Sequence, residues 1–294
     1  MFFIKTMKTS TCKLALTLGL LTINALPVSA EKIFDFSFDG NGLKEASGRG
    51  AIEALELTLL ATDGKPKDVR SAPGTGVSGK PGDRAFDGTS ATGMGKATAE
   101  GVTNRGPVAV ADKATLALSS LSSYTISGWM RTNQPIESAA RILVCTVVGK
   151  YNSILELRAT PNAGGLTVDL SETSDTKEPK RKNSDLVYNY PDQWVFFAVT
   201  FTAMGETKTN VLEFYIGTLA EPTKLAGKRL FNGISGAETG VLAIGNLKNG
   251  QRPFQGLLDN IRIHGSTKDA SGALTLAQLE ELRNNDISGG AKNP

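Results

Sequence analysis

Short runs of alternating apolar and polar side chains recur along the chain. Each is bounded by Gly, Pro, Asn, Asp or Ser, which is the period-2 pattern of half-buried strands. In Ile33-Phe34-Asp35-Phe36-Ser37-Phe38 the three phenylalanines share one face, and Asp35 and Ser37 share the other. From residue 124 to 131, Tyr124, Ile126 and Met130 fall on one face, and Thr125, Ser127, Trp129 and Arg131 on the other. Val195, Phe197, Val199 and Phe201 form the core face of a further strand. Residues 142–148 are apolar apart from Thr146, as in a strand covered on both sides. Residues 153–160 and 165–171 read as the arms of a hairpin, and residues 211–217 and 241–246 as two more strands; residues 51–61 fit helix or strand by periodicity, and the neighbouring elements favour strand.

The pattern changes near the C-terminus. Ile261 and Ile263 alternate with Arg262 and His264, but Leu258 is out of phase with both isoleucines, which predicts a bulge at Asp259-Asn260. Thr275 and Gln278 then have capping-box spacing, and Leu276, Leu279 and Leu282 fall on one helical face. At least ten short strands and one closing helix define an all-β sandwich. We place this domain at residues 31–285, with a polar, frayed tail at 286–294. The Gly-, Pro- and Lys-rich residues 63–83 are expected to form a long surface loop, and the charged residues 172–185 a solvated hairpin tip.

Composition changes the picture mainly at the N-terminus. Lys5, Lys8 and Lys13 precede an apolar run at residues 14–26, and Val28-Ser29-Ala30 is a small-residue cleavage site, so residues 1–30 read as a secretory signal peptide. The run is shorter than the ~20 residues of a spanning helix, so membrane insertion is not expected. Three of the 32 Lys and Arg residues lie in this leader, leaving 29 against 29 Asp and Glu. The remaining chain is formally neutral, which gives no reason to expect a nucleic-acid partner. Cys145 is the one cysteine after the leader, so no internal disulfide is expected.

Four stretches carry a family resemblance: Phe254-Gln255-Gly256-Leu257-Leu258-Asp259-Asn260-Ile261-Arg262-Ile263, Ala85-Phe86-Asp87-Gly88, Thr125-Ile126-Ser127-Gly128-Trp129 and Gln193-Trp194. Together they resemble the laminin-G-like, concanavalin A-like lectin/glucanase jelly-roll modules, of which pentraxin-like domains are one form. The resemblance implies two antiparallel sheets, a short C-terminal helix and, as the commonest activity, glycan binding. It also implies a structural calcium, with Asp259 as carboxylate ligand and Asp35 or Asp39 nearby. The residues alone leave a second reading equally open, in which Asp259 caps the bulge.

Candidate chemistry is thin. Laminarinase-type enzymes of this architecture carry a Glu-x-Asp-x-x-Glu strand, and this sequence has no acidic-x-acidic triplet. Alginate-lyase-like enzymes carry Arg-x-Glu-x-Arg, where this chain has Ile154-Leu155-Glu156-Leu157-Arg158. His264 is the one histidine, which leaves little material for a metal cluster or a Ser-His-Asp arrangement. We therefore expect a non-catalytic module, secreted to the extracellular space or periplasm, whose partner is extracellular or cell-wall carbohydrate. A cell-surface or matrix protein is the alternative partner, and a polysaccharide hydrolase or lyase ranks third. The face opposite the core would display Trp129, Arg131, Glu156, Arg158, Asp169, Glu213 and Tyr215 as candidate ligand-binding residues.

Overall fold

The computed structural model describes residues 30–39, 44–45, 55–92, 105–112, 121–132, 140–147, 153–159, 166–170, 180–184, 190–203, 209–232 and 240–290. They build two seven-stranded antiparallel sheets. The first runs in the order Glu31–Phe36 (β1), Leu257–Ser266 (β16), Ser123–Arg131 (β7), Val195–Thr202 (β12), Thr209–Thr218 (β13), Lys224–Asn232 (β14), and Phe86–Asp87 (β5) also pairs with β16. The second runs Lys180–Asn183 (β11), Leu166–Leu170 (β10), Ser153–Ala159 (β9), Ala140–Val147 (β8), Gly240–Ile244 (β15), Val108–Asp112 (β6), Thr58–Leu60 (β4). Lys44–Glu45 (β2) and Leu55–Glu56 (β3) form a separate two-stranded ribbon. The expected leader lies outside the described residues, apart from Ala30.

The alternating faces pack as the pattern requires. Phe34, Phe36 and Phe38, Ile126 and Met130, Val195, Phe197, Val199 and Phe201 are buried in one cluster with Leu143, Cys145, Leu157, Leu242 and Ile244 of the second sheet. The core is therefore the space between the sheets, filled from both inner faces. Burial pushes the Cys145 thiol far above its usual range, leaving it a small hydrophobe. The hairpin of β9 and β10 has the expected register, with Leu155 opposite Leu170 and Leu157 opposite Val168. Part of the charged stretch taken for a hairpin tip is strand instead, since Lys180–Asn183 pairs with β10.

The bulge falls where the phase of Leu258 places it. The pairing of β16 with β7 slips between Asp259 and Arg262, and Asn260 takes φ 49°. Asn tolerates this left-handed conformation better than most side chains. The slip re-aims the strand so that Leu258, Ile261 and Ile263 all reach the core.

The closing helix is longer than expected and buries a different face. It spans Leu276–Ser288 (α1), with a capping box between Thr275 and Gln278, and ends on Gly289 in the left-handed conformation. The tail boundary at residue 286 is thereby corrected, because Asp286 is buried inside the helix. The buried residues are Leu279, Arg283 and Asp286, whereas Leu276 is exposed. This helix lies over the outer face of the first sheet, where Leu279, Leu274, Trp129, Trp194, Phe196, Ala198 and Tyr215 form a second apolar cluster.

One glycine limits how the sheets close. Gly245, which follows β15, has φ 78°, and a Cβ there would meet the ring of Phe86 at 2.2 Å. Gly245→Ala is expected to lower stability by about 1–3 kcal/mol through overpacking and backbone strain. Urea unfolding of the variant against wild type checks this, with an unchanged midpoint as the contrary result.

Candidate functional site

The polar row of β7 has two uses. Its middle is covered: the Ser123 hydroxyl donates to the Asp269 carbonyl (2.6 Å) and accepts from Gly272 N–H (2.9 Å). The Thr125 hydroxyl donates to the Gly272 carbonyl (2.8 Å) and accepts from Leu274 N–H (2.8 Å). These bonds hold the chain as it returns across the sheet toward α1. Trp129, further along the same row, is fully buried, and its indole N–H donates to Asp286 Oδ2 (2.8 Å). Its ring packs edge-on against Phe196. Trp129 therefore offers no stacking surface to a ligand, which corrects its expected role.

Beneath the helix lies a buried ionic network. Arg262 makes a two-pronged ion pair with Asp286 (2.8 and 2.7 Å), and its Nε–H donates to Asp35 Oδ1 (2.9 Å). Lys32 bonds the other Asp35 oxygen (3.0 Å). Burial opposes the charge on Arg262, but Asp286 and Asp35 more than offset it and hold the guanidinium above its usual range. Burial likewise raises the Asp35 carboxyl, but Arg262 and Lys32 outweigh it and keep that group below its ordinary value. β1, β16, β7 and α1 are thus joined through Asp35, Arg262, Trp129 and Asp286.

The expected calcium ligands are committed elsewhere. Asp259 is fully buried and accepts from Val77 N–H (3.0 Å) and from its neighbour Asn260 N–H (2.7 Å). It ties the 63–83 segment, which is the largely exposed surface loop expected, to the bulge of the last strand. Asp35 faces two cations, and Asp39 accepts from Arg84 N–H (2.8 Å). A metal at Asp259 would also sit in the field of the Arg262 charge, which already acts on that carboxylate. Among the described residues no three His, Cys, Asp or Glu side chains are grouped to hold a metal. The bond from Asn260 N–H to Asp259 within the bulge matches the bulge-capping reading of that residue.

The candidate ligand residues do not share one groove. Trp129, Arg131, Glu213 and Tyr215 belong to the first sheet, whereas Glu156, Arg158 and Asp169 stand on β9 and β10 of the second. Glu156 and Asp169 are register partners within that second sheet, and Arg158 is half-buried. Period-2 patterning tells which face of its own sheet a residue takes, but not which sheet its strand joins, and that is why the set divides. Tyr215 is buried against the helix, and its hydroxyl donates to Glu213 (2.8 Å), which Lys228 also pairs (2.7 Å).

Arg131 is the exception. It ends the β7 row beyond the helix and meets Asp192 through Nε–H (3.0 Å) and Nη2 (2.8 Å). Asp192 has φ 57°, and its N–H donates to the Thr132 carbonyl (2.7 Å), so the 190–194 turn is clamped to the strand end. With Arg131 35% and Asp192 64% exposed, the pair faces water. Two clefts of about 300 Å³ each open on either side of it. One is lined by Ser71, Thr75, Asp87, Thr89 and Thr132, the other by Gln193, Trp194, Thr218 and Leu219. The second wall is held by the helix, because Arg283 donates to the carbonyls of Thr218 (2.7 Å) and Leu219 (3.1 Å). Of the candidate ligand-binding residues, only Arg131 lies here. The other lining residues come from strand ends and turns, where no periodicity marks a ligand-facing side chain.

A two-sheet sandwich with a single closing helix and a polar cleft at one end is the architecture of lectin-like jelly rolls. The family comparison agrees: the laminin-G model described as the concanavalin A-like lectin/glucanases superfamily matches residues 103–271, more than half of the chain, and the protein belongs to that family. A search of curated proteins gives no match. Among solved structures the chain is similar to the binding domain of botulinum neurotoxin DC in complex with rat synaptotagmin II. That alignment has 14% identity and TM-score 0.53, covering 87% of this chain and 52% of that one. A structure of botulinum neurotoxin type C, whose cell entry depends on interaction with two ganglioside molecules, aligns at 16% identity and TM-score 0.55, covering 87% and 51%. At these identities the likeness is one of fold, and the chain spans about half the length of the structures it matches.

Proposed function

We propose that this protein is a non-catalytic carbohydrate-binding module that works outside the cytoplasm, in the extracellular space or periplasm. The observation that carries the reading is the pair of clefts sharing the exposed Arg131–Asp192 ion pair. Carboxylates and guanidinium groups at a cleft mouth make the strong, directional hydrogen bonds by which sugar hydroxyls are held. An ion pair this exposed contributes little to folding, typically below about 1 kcal/mol, so its placement is better explained by binding. The first thirty residues, read as a secretory leader, support the location. The synaptotagmin II and the two ganglioside molecules bound by the similar proteins are consistent with a binding role.

The absence of an acidic-x-acidic strand in the sequence supports a module without glucanase activity. A protein partner is the second reading, favoured by Leu225 and Leu230, which are exposed on the edge strand β14. A glycan array on the protein after leader removal tests the first reading. Saccharide hits are expected, and Arg131→Ala is expected to weaken them by about tenfold or more while leaving the melting curve nearly unchanged. Silence across the array would favour a protein partner, and turnover of any polysaccharide would overturn the non-catalytic assignment.

A further inference from the structure

Resting on the carbohydrate reading, we infer that the two clefts are halves of one groove that takes an uncharged sugar chain at least two residues long and disfavours acidic ones. The first observation is continuity. Arg131 and Asp192 line both clefts, so the ion pair is the waist of a single path running from Asp87 and Thr89 on one side to Thr218 and Leu219 on the other. A monosaccharide fills one half, and a chain crosses the waist and gains contacts in both.

The second observation is charge. Among the described residues lining the two clefts, Arg131 is the one cation, against the carboxylates of Asp87 and Asp192. That cation is already engaged, with two of its N–H groups on Asp192 Oδ1. An acidic sugar would have to share Arg131 with Asp192 and would meet the two carboxylates of Asp87 and Asp192 beside its own. A neutral chain meets no such conflict. Its hydroxyls can donate to the carboxylates and to the hydroxyl oxygens of Thr75, Thr89 and Thr132, which line the same half and whose own protons are held within the protein by Ser71 or Ala72, Asp87 and Gln255. The other half is less polar, with Leu219, Ala220 and the edge of Trp194 offering a surface for the apolar face of a sugar ring.

The test is calorimetric titration of the leader-free protein with glucose, with neutral hexasaccharides of glucose and of mannose, and with a galacturonic acid hexasaccharide. A neutral hexasaccharide is expected to bind at least about tenfold tighter than both glucose and the acidic hexamer. The Asp87→Asn, Asp192→Asn double variant is expected to narrow the gap to the acidic hexamer. Ala72→Leu and Ala220→Leu, exposed positions that line opposite halves, should each weaken hexasaccharide binding, with unchanged circular dichroism showing that the fold is intact.

If the acidic hexamer binds more tightly, this inference falls while the carbohydrate reading stands. If only one of the two leucine variants matters, the groove has a single half and the inference likewise fails. Binding of no saccharide of either charge removes the proposed function itself.

Discussion

Asp286→Ala is expected to lower the stability of the folded protein by about 3–5 kcal/mol, the usual cost of removing one partner from a buried ion pair. For a chain of this size that corresponds to roughly 10 °C in melting temperature. Two losses combine. The Arg262 guanidinium, which stays buried, would keep Asp35 but lose its two-pronged partner, and the Trp129 indole N–H would lose its acceptor. Asp286→Asn separates these, since an amide oxygen can still accept from Trp129 without balancing the charge, and an intermediate loss is expected. In the double variant Arg262→Met, Asp286→Leu both charges are gone, so the penalty should be much smaller than the sum of the single changes. Thermal unfolding followed by tryptophan fluorescence reads all of these. A loss below about 1 kcal/mol for Asp286→Ala would mean that the pair behaves like an exposed one and does not fasten the helix to the sheet.

The same residues show what the sequence could and could not convey. Each strand with a strict alternation landed with its apolar face in the core, and the phase break at Leu258 located the bulge at Asp259-Asn260. These are local properties of a backbone with a fixed period. The buried stripe of α1 was harder to see because two of its three members are charged. Leu279, Arg283 and Asp286 have helical i, i+4, i+7 spacing, but a search for leucines selects Leu276 and Leu282 instead. The missed partner is Arg262 on a distant strand, and no local pattern pairs it with Asp286. β14 was not anticipated for a related reason. It is an edge strand with Leu225 and Leu230 exposed, so its alternation does not separate a core face from a solvent face.

The candidate site was legible only at Arg131. A polar face on a central strand reads as a possible ligand surface, yet here most of that face binds the returning chain and the helix through Ser123, Thr125 and Trp129. Only the strand end escapes the cover. Asp87 and Thr89 reach the same place from the end of β5 and the turn after it, Asp192 from the 190–194 turn and Thr218 from the end of β13. Their meeting is a product of topology, and one sequence read by periodicity carries no signal for it beyond the turn residues themselves.

Stability is also expected to fall as the pH drops from about 6.5 to about 4, and His264 is the main reason. Its imidazole is buried on β16, and its Nδ1 has no hydrogen-bond partner among the described residues. Burial first, and then the adjacent Arg262 charge with a smaller contribution from Lys32, push its pKa down to about 4, with Asp35 acting in the opposite direction. The unfolded chain protonates this histidine near pH 6.5, whereas the folded protein resists until about 4. Between those values the unfolded state holds the extra proton, so acid favours unfolding, by about 3 kcal/mol in all. Asp35 contributes in a lower window. Its folded pKa is depressed, so its stabilisation is present above the unfolded carboxylate value and is lost as the pH falls through the folded one. Because His264 is the one histidine in the chain, no other imidazole contributes to the upper window. Urea unfolding at pH 7, 5.5 and 4.5 should show this slope in wild type and a much flatter profile in His264→Leu, with the variant the more stable of the two at pH 4.5. Equal slopes in the two proteins would show that the folded imidazole takes up its proton as readily as the unfolded one.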